Sequence, residues 1–371
     1  MGEEQRNSAS ETVEKKTLRP VLIVSEHTVS GYSMFLKYLL VGLADESIPA
    51  ALVCGPGCDV DSVVSPAVEV IRHPAINLPL MERRNNKILV ERLANFKPTV
   101  LHCLCESKAR LTRQLARQLD LPYVLTVNSL QKRWRRFSIS LRRCAKIIVP
   151  AKSIAANLAQ VYSRFAERIE QINIGTFVGE ESGCFREPGR LPCMVTSHSL
   201  DDVSDFENLF GAVRHLAIDG YEFMLVVIGG GRAEKHLRKL LAALGLLQIV
   251  TIVPRLEPWR SVLGAGDIFI RPQPTDAFDT FLLEAMGVGA AVAGCKGGVD
   301  DLLIEDQTGV VFDADDELSI YGSLQRLLNK QEWARQLATS AQEHLRKNHS
   351  VSEMISSTVQ TYRNAEQWYG R

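Results

Sequence analysis

Short apolar runs recur along the chain and alternate with segments in which apolar residues return every three or four positions. The first run, residues 20–24, is apolar throughout, as is typical of strands buried on both faces of a parallel sheet. Residues 32–43 and 109–119 follow such runs and have the amphipathic period of a helix. Because strand and helix alternate in this way, the first half of the chain is predicted to form a doubly wound α/β domain.

A second alternation of strand and helix begins near residue 193. The stretch before it, residues 177–192 (FVGEESGCFREPGRLP), is rich in Gly, Pro and charged residues, which is typical of a linker. The predicted organisation is a disordered polar tail over residues 1–17, an N-terminal Rossmann-like domain over 18–178, a C-terminal Rossmann-like domain over 179–350, and a helix over 351–371 that returns to the N-terminal domain.

Composition and charge exclude several classes of protein. Apolar residues make up 46% of the chain and charged residues 23%, so a sizeable core is available and wholesale disorder is excluded. The 43 basic residues balance 43 acidic ones, which argues against a protein that coats nucleic acid. No apolar run approaches the roughly 18 residues of a membrane span, and residues 1–17 lack the apolar core of a secretory signal. We therefore expect a cytoplasmic protein.

Two local patterns contain the residue types of a ligand site but lack the spacing that such a site requires. The eight cysteines lack the paired spacing of a zinc site, and we interpret them as buried thiols without a metal. Gly229-Gly230-Gly231 lies between a predicted strand and a predicted helix, where phosphate loops occur. However, Glu234 stands at the third glycine position of the dinucleotide fingerprint, and tight turns use glycine for backbone reasons alone. A bound NAD is therefore disfavoured, and no cofactor is predicted.

The segment richest in candidate functional residues is 271–289. This segment ends a predicted strand, turns and enters a helix, at the carboxyl edge where open α/β sheets bind ligands. Asp276 in the turn and Glu284 on the helix can face one cleft, and carboxylates accept hydrogen bonds from the vicinal hydroxyls of sugars and riboses. The alternative interpretation makes Asp276 and Asp279 turn and N-cap residues and Glu284 a solvated helix position.

The same segment resembles the signature of glycosyltransferase family 4, retaining enzymes of the GT-B fold, in which two glutamates with seven residues between them enclose Phe-Gly. Here the signature reads Asp276-x7-Glu284 with Phe278-Asp279 inside it, and the resemblance covers residues from about 20 to 365. It implies two facing Rossmann-like doubly wound domains with an interdomain cleft. It also implies metal-independent transfer of a sugar from a nucleotide-sugar to an acceptor with retention of configuration.

In that family the nucleotide-sugar lies between the domains. The resemblance therefore assigns Glu284 to the nucleotide ribose and Asp276 to the donor sugar, and it places Asn128 where many relatives have a histidine near the acceptor. Further positions that it brings to the donor are Asp279, Thr280, Gly230, Arg255, Ser199 and Ser204.

Further departures from the family pattern lie where the diphosphate would bind. The usual Gly-Arg-Leu and the later Lys correspond to residues 198–200 and Ser204, so two positive charges that reach the diphosphate are lost. Asp279 replaces the glycine of the signature and adds a carboxylate where phosphate oxygens would lie. These changes favour an alternative, a catalytically lapsed GT-B protein that binds a sugar or a partner. Basic residues on nearby loops that could compensate are Arg232, Arg255, Arg271 and Lys296.

Residues 131–143 (QKRWRRFSISLRR) form a separate basic segment. The spacing predicts a helix here, with Trp134, Phe137 and Leu141 on one face and six basic residues around them. The pattern fits contact with anionic lipid or with a phosphorylated acceptor, and equally an ordinary amphipathic helix whose arginine stems cover apolar surface. The predicted partners are a nucleotide-sugar, a glycan, lipid-linked or small-molecule acceptor, no nucleic acid, and the inner face of a membrane through Lys132, Arg133, Trp134, Arg136 and Phe137.

Overall fold

The structure is a computed structural model that describes residues 17–76, 78, 81–134, 137–187, 189–254 and 259–370. Its first seven strands are β1 (Pro20–Ile23), β2 (Ala51–Cys54), β3 (Glu69–Arg72), β4 (Val100–Cys103), β5 (Tyr123–Thr126), β6 (Cys144–Val149) and β7 (Ile169–Gln171). They form one parallel sheet in the order β3-β2-β1-β4-β5-β6-β7. The side chains of β1, β2, β4 and β5 are buried throughout, which explains their largely apolar sequences.

Helices cover this sheet on both faces. Their bounds are α1 (Glu26–Gly31), α2 (Ser33–Asp45), α3 (Glu82–Phe96), α4 (Ala109–Gln118) and α5 (Lys152–Val161). The amphipathic pattern decides which face each helix buries: in α4, Leu115 and Ala116 are buried, whereas Arg110, Arg113 and Arg117 are exposed.

The second half of the chain repeats this plan. Its strands are β8 (Cys193–Ser197), β9 (Met224–Ile228), β10 (Val250–Val253), β11 (Ile268–Arg271), β12 (Ala291–Cys295) and β13 (Val310–Phe312), and its helices are α6 (Ser204–Ile218), α7 (Glu234–Ala243), α8 (Trp259–Gly264), α9 (Thr280–Val288), α10 (Glu317–Asn329) and α11 (Gln331–Asn348). The parallel strands have the order β10-β9-β8-β11-β12-β13. The strand order therefore reverses between β1 and β4 in one sheet and between β8 and β11 in the other, and crevices for ligands open at such points.

The last helix, α12 (Val351–Tyr369), packs on the N-terminal sheet and on α2. Tyr362 is fully buried there, and its hydroxyl lies 2.6 Å from Nδ1 of His102 on β4. The chain thus crosses between the domains twice, and the two crossings run side by side: the Thr176 amide donates to the His349 carbonyl at 2.9 Å. Gly175 is required at this contact, because a Cβ there would lie 2.6 Å from Cα of Val351.

The stretch predicted as a linker is only partly exposed. Phe177 is exposed, but Cys184 and Phe185 are buried in the C-terminal core. The Phe185 amide donates to Oδ1 of Asp267 at 2.6 Å, so this part of the stretch is fixed to the domain that follows it.

The predicted helix over residues 131–143 is wrong. The described residues of this segment form turns and extended chain, because side chains of neighbouring elements take the backbone donors. The Phe137 amide donates to the Tyr162 hydroxyl at 2.7 Å, and the Ser140 amide donates to the Tyr123 hydroxyl at 2.8 Å. Trp134 is 79% exposed, whereas Phe137 packs on Tyr162. Arg135 and Arg136 lie outside the described residues.

Candidate functional site in the interdomain cleft

A cavity of about 530 Å³ lies between the carboxyl edges of the two sheets. The N-terminal wall is formed by α1 and the residue that follows it, including His27 and Tyr32. The C-terminal wall combines the loops after β8 and β9, the end of β11 and the beginning of α9. Both walls therefore come from the strand-order reversals of the two sheets, which is the arrangement that the α/β pattern predicts for a ligand site.

The glycine run after β9 lets two loops approach closely. A Cβ on Gly229 would lie 2.2 Å from the His198 carbonyl oxygen, and one on Gly231 would lie 2.4 Å from Leu200. Close backbone approach therefore explains these two glycines without a ligand. Gly230 differs, because a Cβ there would meet nothing within 4 Å and the residue lines the cavity.

The N-terminus of α9 points into the cleft but is already capped. Oδ1 of Asp279 accepts the Leu282 amide at 3.0 Å, so Asp279 is the N-cap residue. Burial raises the pKa of the Asp279 carboxyl, against the opposing effects of the Leu282 amide and the Arg271 guanidinium. The next residue, Thr280, donates its hydroxyl to the Gly31 carbonyl of the opposite domain at 2.8 Å. Both Asp279 and Thr280 line the cavity.

The two serines at the family's basic positions hydrogen-bond to aspartates of their own loop. The Ser199 hydroxyl donates to Asp201, and the Ser204 hydroxyl donates to Oδ1 of Asp202 at 2.9 Å. These hydrogen bonds lower the pKa of both carboxyls. Ser199 lines the cavity; Ser204 begins α6 and is not among the described lining residues.

Positive charge at the cavity comes from Arg271. This side chain is almost fully buried, and its guanidinium donates to the carbonyls of Gly297 at 2.9 Å and Val299 at 3.1 Å. Its Nε has no hydrogen-bond partner among the described residues. His198 also lines the cavity, with Nε2 3.4 Å from Oδ2 of Asp205. His198 was not singled out as a ligand by sequence, although its position beside the substituted family arginine was the available signal.

Of the other basic residues expected to compensate, Arg232 donates through Nε to the Asp201 carbonyl at 3.3 Å. Lys296 is exposed on the loop after β12. Arg255 lies outside the described residues.

The two carboxylates of the family signature are not brought to one cavity. Asp276 is exposed and pairs with Lys132 at 3.8 Å, and Glu284 is 2% exposed and forms an ion pair with Arg260 of α8. Neither is among the described residues that line the cavity. The solvated-helix interpretation of Glu284 is wrong, because α9 presents this residue to the protein interior. The flanking apolar sequence around Glu284 was the signal for burial; sequence gave no indication of Arg260.

A backbone bridge joins the domains beside the cavity. The Leu130 amide donates to the Asp276 carbonyl at 2.7 Å, and the Phe278 amide donates to the Asn128 carbonyl at 2.9 Å. Ser129 and Ala277 form an antiparallel bridge between them. The structure therefore brings Asn128 and Asp276, the two residues predicted for catalysis, to neighbouring backbone positions on opposite domains.

Asn128 is held by an acid that the sequence analysis missed. Oε1 of Glu106 accepts the Asn128 amide at 3.1 Å, the Ser129 hydroxyl at 3.2 Å and the Gln131 side-chain amide at 3.3 Å. Burial raises the pKa of the Glu106 carboxyl. Glu106 closely follows buried β4 at the strand-order reversal, and that position was the signal that could have found it.

The described residues form neither a metal site nor a membrane-spanning helix. Within the ranges given above, no group of His, Cys, Asp and Glu side chains is arranged to hold a metal ion. In that same part of the chain, no helix has both the length and the apolar content needed to cross a membrane.

Comparisons with known proteins cover both domains. The family model "Glycosyltransferase Family 4" matches residues 29–176, and "Glycosyl transferases group 1" matches residues 182–344. A D-inositol 3-phosphate glycosyltransferase of Salinispora tropica is 30% identical over 151 residues, which make up 38% of this chain and 31% of that protein. The matches span about a third of the length of the curated relatives.

Solved structures match almost the whole chain. A glycosyltransferase from Rickettsia africae has a TM-score of 0.78 at 14% identity, covering 94% of this chain and 99% of that one. Anabaena HepE in complex with UDP and glucose has a TM-score of 0.78 at 14% identity, covering 93% and 99%. At this identity the likeness is one of fold, and it confirms the predicted pair of Rossmann-like domains.

Proposed function

The chain belongs to glycosyltransferase family 4 and has the GT-B fold, and on that premise we propose that it transfers a sugar from a nucleotide-sugar to an acceptor with retention of configuration. The observation that carries the proposal is the cavity between the two strand-order reversals, where Gly230 and the beginning of α9 expose backbone to a ligand. The solved structure of HepE, a neighbour in fold, is of that protein in complex with UDP and glucose. That neighbour supports a nucleotide-sugar donor.

In this proposal the donor diphosphate lies against Ser199, Gly230 and Thr280. Arg271 supplies positive charge, and His198 an imidazole side chain, in place of the family's arginine and lysine. Glu284 accepts hydrogen bonds from the ribose, and Asp276 and Asn128 act on the sugar once the backbone bridge at residues 128–130 has opened. No metal is required, because the leaving diphosphate is stabilised by these side chains and by backbone amides.

Calorimetric titration of the full chain with UDP, ADP, GDP and their glucose conjugates tests the donor site. We expect one nucleoside diphosphate to bind at a single site. A Glu284→Gln variant should bind it more weakly by about 1.5–3 kcal/mol, the range for hydrogen bonds to charged groups. If no nucleotide or nucleotide-sugar binds the wild-type chain, the proposal is wrong.

The comparisons give no support to the alternative of a catalytically lapsed binding protein. One structural feature would favour it: both signature carboxylates, Asp276 and Glu284, are engaged by basic residues of this chain. Donor hydrolysis in the absence of acceptor separates the two cases, since a lapsed site binds the nucleotide-sugar without cleaving it.

We also propose contact with an anionic membrane through the basic face of the N-terminal domain. Residues 107–166 contain 13 basic residues and a single acidic one, although the whole chain is neutral. Arg113 of α4 lies beside residues 137–142, because it donates to the Ser138 hydroxyl. Trp134 and Leu141 are exposed there, 79% and 40% respectively, which suits insertion between lipid headgroups.

Cosedimentation with vesicles of phosphatidylcholine, with and without phosphatidylglycerol, tests this contact. Removing two charges in Arg110→Gln/Arg117→Gln should weaken binding to the anionic vesicles by about 1 kcal/mol per charge. Lys235→Gln/Lys239→Gln on the exposed side of α7 is the matched control and should bind as the wild type does. Equal losses in both variants would contradict a specific face.

A further inference from the structure

Arg260 occupies the carboxylate that is assigned to the nucleotide ribose. Glu284 lies within α9 and is 2% exposed, and its Oε2 is paired with Nη1 of Arg260 at the beginning of α8. An unpaired carboxylate at this depth would be strongly disfavoured. In the absence of nucleotide, the charge of this carboxylate is therefore paired with a cation of the chain itself.

The same guanidinium is bound to the other domain and to the crossing between the domains. Nη1 of Arg260 donates to the Thr176 hydroxyl at 3.1 Å and lies 3.5 Å from the Tyr38 hydroxyl of α2. Nη2 donates to the Phe177 carbonyl, and the ring of Phe177 packs edge-on against Tyr38 at 4.9 Å. Arg260 therefore links the ribose carboxylate to α2 and to residues 176–177.

A guanidinium and a ribose can both donate hydrogen bonds to the Glu284 carboxylate. A guanidinium presents N–H donors in a fixed fork, and a ribose presents two adjacent O–H donors. Both need the same carboxylate oxygens, and the 2% exposure of Glu284 leaves no access while Arg260 is in place. The two ligands are mutually exclusive.

We propose that Arg260 is an internal competitor for the donor: nucleotide binding displaces its guanidinium from Glu284 and thereby releases the contacts with Tyr38 and Thr176. This role rests on the proposed function, in which Glu284 holds the ribose. It makes Arg260 a positioning residue that sets donor affinity and couples donor binding to the domain contact. The docking of α8 itself does not depend on this side chain, since the neighbouring Trp259 donates its indole N–H to the Ser33 hydroxyl at 3.2 Å.

Titration of the full chain with UDP, or with whichever nucleoside diphosphate binds best, tests the exchange. Arg260→Gln should bind the nucleotide roughly fivefold more tightly, because a partly exposed ion pair no longer has to be broken. Arg214→Gln, on the exposed side of α6, is the matched control and should leave the affinity unchanged. An affinity that is unchanged or lower in Arg260→Gln overturns the proposal, and a lower value would make Arg260 a direct ligand of the donor.

Amide hydrogen exchange gives a second readout. Adding nucleotide to the wild-type chain should accelerate exchange around Tyr38 and residues 172–178, and Arg260→Gln should show this faster exchange without nucleotide. Unaltered exchange in both experiments contradicts the coupling.

A second variant serves if Arg260→Gln fails to fold. Tyr38→Phe/Thr176→Val keeps the Arg260–Glu284 pair but removes two hydroxyl contacts of the guanidinium, so the affinity should rise by a smaller factor; an affinity at or below that of the wild type contradicts the proposal. If the nucleotide binds the wild type and its affinity is the same in every variant, only the role of Arg260 is overturned. Failure of the wild type and all variants to bind any nucleotide contradicts the donor site and this inference together.

Discussion

The two domains share a strand order but present different chemistry at the edges that face each other. The C-terminal edge is mostly backbone, with Gly229, Gly230 and the beginning of α9 around the cavity. The N-terminal edge holds polar side chains, half-buried Glu106 and buried Asn128, beside a basic outer face. Topology therefore determines where the loops meet, and the residues of each loop determine which partner each edge can bind.

The sharpest test of the backbone-built edge compares two adjacent glycines. Gly229→Ala should destabilise the protein by about 3 kcal/mol, since its Cβ would lie 2.2 Å from the His198 carbonyl and backbone cannot move aside cheaply. Gly230→Ala meets nothing within 4 Å and should stay within about 0.5 kcal/mol of the wild type, while weakening nucleotide binding. Urea unfolding measures both; equal destabilisation would show that the edge is not closely packed.

Acid should act on the N-terminal domain through His102. Burial lowers the pKa of His102 from 6.5 to about 3, so the folded state binds fewer protons there than the unfolded chain does. The stability that this neutral imidazole contributes is fully present above pH 6.5 and is lost as the pH falls towards 3, about 2 kcal/mol by pH 5.

Unfolding of the wild type and of His102→Gln between pH 7 and pH 5 checks this prediction. The variant should lose less stability over that interval, and hydrogen exchange should locate the difference at β4 and α12, where His102 contacts Tyr362. His236→Gln on the exposed side of α7 is the control. Parallel pH profiles of His102→Gln and wild type would contradict the assignment.

Asp279 places a carboxylate at the C-terminal edge of the cavity. Asp279→Gly removes a carboxylate from the beginning of α9 and should tighten nucleoside diphosphate binding by about 1 kcal/mol, because repulsion with the phosphates is relieved. The helix should lose only a few tenths of a kcal/mol, since glycine is itself an acceptable N-cap. Calorimetric affinity and thermal unfolding measure the two effects. Weaker binding in the variant would make Asp279 a positive part of the donor site.

Chelation should have the smallest effect. The proposed transfer relies on side chains and backbone amides rather than on a divalent ion, so EDTA should leave both nucleotide affinity and transfer unchanged. A Mg²⁺-dependent rise in either quantity would contradict the metal-independent mechanism.

Periodicity predicted the long, buried elements well. The strand predicted at residues 20–24 is β1 and the helix predicted at 109–119 is α4, with bounds that differ by one residue. The predicted strands and helices did not include α1 and α8, which are six residues each and too short to display a helical period. The helix predicted at 131–143 fails because its backbone donors are taken by Tyr123 and Tyr162, which are close only in the folded chain.

For the candidate site too, some features could be predicted from the sequence and others could not. Its location at the carboxyl edge, its glycines and the family resemblance could be predicted from local sequence, because each depends on neighbouring residues. The assigned roles of Asn128, Asp276 and Glu284 stay predictions. Glu106 could not be recognised as the residue that holds Asn128, since its hydrogen bonds join two loops that only the sheet brings together.

The sequence by itself determined the pair of α/β domains, the family and the neutral charge with its basic segment, since apolar period, motif spacing and composition are local properties. The tertiary structure alone decided the partners of the ionised groups. Lys132 reaches Asp276 because the two domains face each other, and Arg260 reaches Glu284 because α8 packs on α9. The energy of a charge depends on the groups within a few ångströms of it. Those neighbours come from distant parts of the chain, and no local pattern identifies them.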